Sequence, residues 1–208
     1  MKLPASLTSS SEWTIVGPMG PEVPQNLLTH SLLGVDGGAH FCSKMDVWVG
    51  DGDSYKKNVK CDNIFPFSPQ KSISDFALAL TLFEASGPMI LHCWGFLGGR
   101  MDHEILNFGA ALNFLEKSPS SQVIFYQKNG KMALKCLGNG EWPFNHHGTF
   151  SLACIKNAKV KILGSCLYPL EKDTVLEPLA SLGLSNVGQG QFTLFNQGPV
   201  MIFFPESA

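Results

Sequence analysis

The chain has 208 residues, 44% of them hydrophobic and 15% charged, with a formal net charge of −2 and a pI near 6.3. That length fits one or two domains with a sizeable core, and the composition excludes a disordered chain. The near-neutral balance gives no electrostatic basis for binding nucleic acid or an anionic membrane, so an anionic ligand has to be held locally, by a metal, a few Arg or Lys side chains or backbone amides.

In chain order, residues 13–16 (Trp-Thr-Ile-Val) read as a strand closed by Gly17-Pro18, and residues 32–35 as a second strand running into Asp36-Gly37-Gly38. Residues 47–49 read as a third, running into Gly50-Asp51. Residues 75–85 are apolar on nearly every side and read as a buried helix with Ser74 as its N-cap. Residues 89–91 begin a further strand that ends in the glycine-rich segment 95–99. In residues 102–117, Ile105, Phe108, Leu112 and Leu115 recur at helical spacing, and residues 122–126 close the series as a strand. Alternating strands and helices imply an α/β layer with a mostly parallel sheet.

The texture changes near Asn129-Gly130. Short apolar or alternating runs at 132–137, 149–155, 160–163, 191–195 and 200–204 are separated by Gly, Pro and Asn, with no strong helix pattern among them. The expectation is an α/β domain over residues 1–130 followed by an all-β, sandwich-like domain over residues 131–208. The cysteines Cys42, Cys61, Cys93, Cys136, Cys154 and Cys166 form no CxxC pair and sit among apolar neighbours, as reduced, partly buried thiols do. The longest apolar run, residues 76–83, is stopped by Glu84, well short of the roughly 20 apolar residues that span a bilayer. With no leader-like N-terminal segment, a soluble cytoplasmic protein is expected.

The chemistry gathers at strand ends. Asp51 and Asp53 are two apart on an extended backbone, so both carboxylates point one way. Held together they resist ionising, and a divalent cation removes that penalty. Asp36 also follows a strand and Asp75 opens a helix, which allows four acids to converge where open α/β sheets bind ligands. Against this stands the ordinary use of Asp and Gly in turns and caps. Gly98-Gly99-Arg100 at a helix start suits phosphate, and His103 and Asn107 share one helical face. His40 is placed to face the same site, His92 reads as a hydrogen-bonded core residue, and His146-His147 read as a solvated turn. There is no Walker A sequence, strand-bound GxGxxG or GxSxG elbow.

Taken together, Asp36-Gly37-Gly38-Ala39, the D-x-x-x-G-D-x-D-S pattern of residues 46–54, Ser74-Asp75, and Gly98-Gly99-Arg100-x-Asp102-His103 with Asn107 resemble the thiamine pyrophosphokinase family. Leu167-Tyr168-Pro169-Leu170, Ser181–Asn186 (SLGLSN) and Gly198-Pro199-Val200 extend the resemblance over nearly the whole chain. It implies an α/β catalytic domain, a β-sandwich second domain, and a homodimer with active sites at the interface. It also implies transfer of pyrophosphate from ATP to thiamine, giving thiamine diphosphate and AMP. By the resemblance Asp51, Asp53 and Asp75 hold Mg²⁺, while Asp36, Gly37, Gly38, Gly99, Arg100, His103 and Asn107 line the nucleotide site. Arg100 adds a fixed cation, Asp102 is a candidate proton acceptor, and Ser185 and Asn186 bind thiamine across the dimer.

The chain departs from the family pattern at four places: Ser72 stands where an acid is usual, His40 where Asn is usual, Gly52 where a bulky residue is usual and, mildly, Ser74 where Thr is usual. These departures define the competing readings, a weak or non-catalytic thiamine- or nucleotide-binding relative and a pyrophosphokinase for another hydroxymethyl heterocycle.

Overall fold

The computed structural model describes residues 3–52, 59–68, 70 and 72–205. Six short runs in the first part of the chain pair as parallel strands: β1 Glu12–Val16, β2 Ser31–Val35, β3 Lys44–Gly50, β4 Lys60–Pro66, β5 Ile90–Trp94 and β6 Gln122–Tyr126. Six more follow with antiparallel pairing: β7 Met132–Leu137, β8 Gly140–Ala153, β9 Ala158–Cys166, β10 Leu170–Leu176, β11 Asn186–Gln197 and β12 Val200–Phe203. All twelve form one mixed sheet in the order β10-β9-β11-β8-β12-β7-β6-β5-β1-β2-β3-β4.

Two α-helices pack against the parallel half. The first, α1 (Asp75–Thr81), is capped by Ser74, whose Oγ accepts from the Ala77 amide at 3.2 Å. The second, α2 (Met101–Lys117), is the long helix read from the periodicity. Strand residues of one parity, Trp13, Ile15, Leu91, Cys93, Val123 and Phe125, form the core beneath these helices. The opposite parity meets a separate cluster on the other face, where Val16 and Trp94 pack with Val23 and Leu27 of the segment between β1 and β2. Both faces are therefore covered, which is why these strands read as continuous apolar runs.

Several expectations are revised. The first helix stops at Thr81 and tightens into turns, with Leu82 and Phe83 each bonded three residues back at 3.1 Å. Two strands, β4 and β10, carry too few apolar residues to be seen in the sequence; β4 lies at the sheet edge with only alternate half-burial. His146 and His147 are in mid-strand on β8, not in a turn: Gly148 takes φ +123° beside them, and the His146 ring packs edge-on to Phe204 at 4.9 Å.

Near Asn129-Gly130 the chain makes a tight turn, with the Gly130 amide donating to Gln127 O, and β6 and β7 pair directly across it. The core beneath the helices also takes Leu134, Cys136 and Met201 from beyond that turn. A second core lies within the antiparallel half around Phe150, Ile162, Phe192 and Leu194. All six cysteines are free, four buried and two half-buried. No helix among the described residues is long and apolar enough to cross a membrane.

Candidate active site

The strand order places β5 on one side of β1 and β2 on the other. The chain thus reverses its direction of sheet growth at β1, and a crevice opens at the carboxyl ends of the strands there. A cavity of about 550 Å³ occupies this place. It is lined by Pro18 and Met19 after β1, Asp36 after β2, Asp51 after β3, Ser74 and Asp75 at the start of α1, Gly95 and Phe96 after β5, and Gly99, Arg100, His103, Glu104 and Asn107 from the entrance and first turns of α2.

Close backbone packing shapes the floor. The Gly17 amide donates to Trp94 O at 2.7 Å and the Met19 amide to Gly95 O at 2.9 Å, so the β1–β5 pairing continues past the strand ends. At Gly38 a Cβ would stand 1.9 Å from the Val16 carbonyl oxygen, so no other residue fits without moving the backbone. Asp36 itself takes φ +51°, a left-handed conformation that is uncommon outside glycine and that Asp tolerates. The Trp48 indole N–H donates to Asp36 O at 3.0 Å and holds that turn in place.

Asp36, Asp51 and Asp75 each line the cavity and are half-buried, with Oδ1 of Asp36 and Oδ1 of Asp75 fully shielded from solvent. Their carboxylates do not meet as one close triad. Asp53 lies outside the described residues. Hard carboxylate oxygens are the donor type Mg²⁺ takes, and Mg²⁺ is commonly held by one or two carboxylates together with water and substrate phosphate, so this donor set fits it without a closed protein cage.

Arg100, which lines the cavity, forms a bidentate pair with Asp102, with Nε to Oδ1 at 3.1 Å and Nη2 to Oδ2 at 2.6 Å. Both are exposed. The Arg100 guanidinium holds the Asp102 carboxyl down at about 2. Such a carboxylate is a weak proton acceptor, and its visible action is to aim Arg100. His103 and Asn107, one turn apart on α2, both reach the same cavity, as their spacing implied.

Glu104 was missed in the sequence. Its Oε1 accepts from the Gly98 amide at 2.8 Å and the Gly99 amide at 3.0 Å, the donors expected to meet phosphate. A glutamate in the first turn of a helix that follows a Gly-Gly pair is the signal that would have found it. Phe76 and Phe96, with ring centroids 4.6 Å apart, form an apolar side of the cavity and were also unmarked.

Other expected residues lie elsewhere. His40 does not face this cavity; it lines a second one, of about 720 Å³, with His30, Cys42 and Asp46. Gly37 and Gly38 are buried in the 3₁₀ turn Asp36–Phe41 that carries Asp36. Ser185 is exposed at φ +58° and lines a third cavity with Leu184 and Phe203. Asn186 is buried, and its amide bonds to both backbone groups of Tyr168, Oδ1 from the N–H at 3.0 Å and Nδ2 to the carbonyl at 2.7 Å. Within one chain it holds the Leu167-Tyr168 turn.

No protein-family model matches the sequence, and no curated protein matches it. Solved structures do match by fold. A thiamine pyrophosphokinase from Bacillus subtilis aligns with TM-score 0.71 at 17% identity, over 94% of this chain and 100% of its own. One from Geobacillus thermodenitrificans aligns with TM-score 0.68 at 20% identity, covering 95% and 99%. One from Candida albicans aligns with TM-score 0.69 at 14% identity, covering 97% and 90%. The chain shares the fold of thiamine pyrophosphokinases along nearly its whole length.

Proposed function

We propose that the chain is a thiamine pyrophosphokinase, transferring the terminal pyrophosphoryl group of ATP to the hydroxyl oxygen of thiamine. The observation that carries this reading is the cavity at the β1 switch point. It collects residues from every motif of the parallel half (Asp36, Asp51, Asp75, Gly99, Arg100, His103 and Asn107), in a fold shared with enzymes of that name.

The reaction joins the thiamine oxygen to the β-phosphorus, breaks the bond from that phosphorus to the bridging oxygen, and releases AMP and a proton. It asks the protein mainly to position groups and to offset charge. Arg100, aimed by Asp102, faces the phosphates as a fixed cation. His103 and Asn107 donate hydrogen bonds from the same helix face, and the Phe76–Phe96 side excludes water. Glu104 must release the Gly98 and Gly99 amides if these are to bind phosphate. Asp51 and Asp75, with Asp53, are the residues that would hold Mg²⁺, which when bound supplies charge neutralisation on the phosphates, and Asp36 lines the nucleotide site beside them.

We assign residues 1–130 to nucleotide binding and catalysis and residues 131–208, as a β-sandwich, to thiamine. Ser185 and Asn186 lie away from the catalytic cavity of their own chain, which accords with a site completed across a homodimer. The exposed Met101, Ile105 and Leu106 on α2 are apolar surface of the kind a subunit interface covers. Incubation with ATP, Mg²⁺ and a panel of hydroxymethyl heterocycles, read by mass spectrometry, tests the acceptor. A diphosphate ester of thiamine alone is expected; an ester formed on another acceptor, or none from a folded dimer, contradicts the reading.

A further inference from the structure

On the sheet face opposite the helices, three side chains converge outside the catalytic cavity. Glu12 opens β1, His30 directly precedes β2, and His92 lies in β5. Nε2 of His92 is 2.7 Å from Oε1 of Glu12, and Nε2 of His30 is 3.4 Å from the same oxygen. One ligand atom from each residue falls within 4.8 Å of the others, and among the described residues this is the group of His, Cys, Asp or Glu that closes so tightly.

The outer nitrogens are also held. Nδ1 of His30 is 3.0 Å from Thr14 Oγ1, and Nδ1 of His92 is 2.8 Å from the Tyr126 hydroxyl. Thr14 gives its own hydrogen to Leu27 O at 2.7 Å, so its oxygen is left to accept and Nδ1 of His30 carries the hydrogen. With its Nδ1 hydrogen committed to Thr14, Nε2 of His30 is the ring atom that faces the Glu12 carboxylate. The His30 and His92 rings are stacked with centroids 4.5 Å apart, and the ligand atoms of all three residues lie close enough to share one cation.

We propose that Glu12, His30 and His92 bind a borderline transition-metal dication of the Zn²⁺ type, through both Nε2 atoms and the carboxylate. The two hydroxyls fix the ring orientations from outside, the usual support for histidine ligands. In a tetrahedral site the ligand atoms stand about 3.3 Å apart; the His30–Glu12 separation already matches, and the His92–Glu12 pair opens by about half an ångström. His30 also lines the cavity of about 720 Å³, which leaves a route to the fourth position. Lys135 acts on His92 with a charge that opposes a cation, so the Glu12 carboxylate is needed for binding. The bound ion would clamp the segment between β1 and β2 onto the sheet.

The test is a titration of metal-free, full-length protein with Zn²⁺ against a chromogenic chelator, alongside Co²⁺ absorption spectra. One equivalent of Zn²⁺ and the visible bands of four-coordinate Co²⁺ with N/O ligands are expected. Glu12→Gln and His30→Asn, each verified as folded by circular dichroism, should weaken binding at least ~10-fold. The Glu12 side chain is 43% exposed, so Glu12→Gln keeps the comparison open if the histidine variant does not fold. No saturable binding, equal affinity in the folded variants, or a cobalt–thiolate charge-transfer band would each overturn the proposal. The titration uses no nucleotide, so its outcome is independent of the pyrophosphokinase reading.

Discussion

Asp102 and Arg100 stand two residues apart with their charged groups locked together on the cavity rim. The depressed pKa of Asp102, about 2, keeps it ionised at any pH where the protein would be assayed, and its pairing is lost only as pH falls towards that value. Replacing it should therefore leave the acid limb of the pH–rate profile where it is. Asp102→Asn is expected to raise KM for ATP, because Arg100 loses its aim, without moving that limb; a shifted limb would make Asp102 the proton acceptor after all. If Asp51 holds Mg²⁺ as proposed, Asp51→Asn should lower turnover by ~100-fold or more, since loss of a metal ligand costs at least what loss of its supporting shell costs. Turnover within a few-fold of the parent, with an unchanged circular dichroism spectrum, would remove Asp51 from the site. At this scale the sequence marked Asp36, Asp51, Asp75 and Arg100, which the fold brings to one cavity. It did not expose Glu104, whose action depends on a loop folding back to meet it. Nor did it place His40, which the 3₁₀ turn after Asp36 carries to a different cavity.

Elements of the parallel half were legible because their apolar periods and caps are strong. Ser74 both reads and behaves as an N-cap, and Ser74→Ala is expected to cost about 1 kcal/mol in chemical denaturation. The strands β4 and β10 were hidden because an edge strand needs little apolar surface. The glycines of α2 and of the Asp36 turn differ in kind, and two substitutions separate them. Gly109→Ala, in the middle of α2 with open space around its Cβ, should raise stability by about 0.5–1 kcal/mol. Gly38→Ala drives a methyl into the Val16 carbonyl and should cost about 1–3 kcal/mol, with a disturbed cavity floor. Melting temperatures of the two variants check both signs.

The whole molecule is a continuous twelve-stranded sheet in which strands beyond residue 130 complete the core under α1 and α2. Composition marked a change of texture at that point, where Asn129-Gly130 between two strand runs is itself a hairpin signal and β6 and β7 do pair across it; what composition could not report is that strands beyond the turn enter the core beneath the helices. Shared core residues such as Leu134 and Cys136 couple the two halves, so unfolding is expected as one cooperative transition, with calorimetric and van't Hoff enthalpies equal. Two resolved transitions would mean that the halves are energetically separate.

The central claim is that the cavity at the β1 switch point moves a pyrophosphoryl group, not a single phosphoryl group. A ³¹P NMR time course of protein, ATP, Mg²⁺ and thiamine tests this directly. The account predicts AMP and thiamine diphosphate appearing together in equal amounts, and neither appearing with Asp51→Asn. ADP with thiamine monophosphate, or intact ATP in the presence of folded dimer, would contradict it.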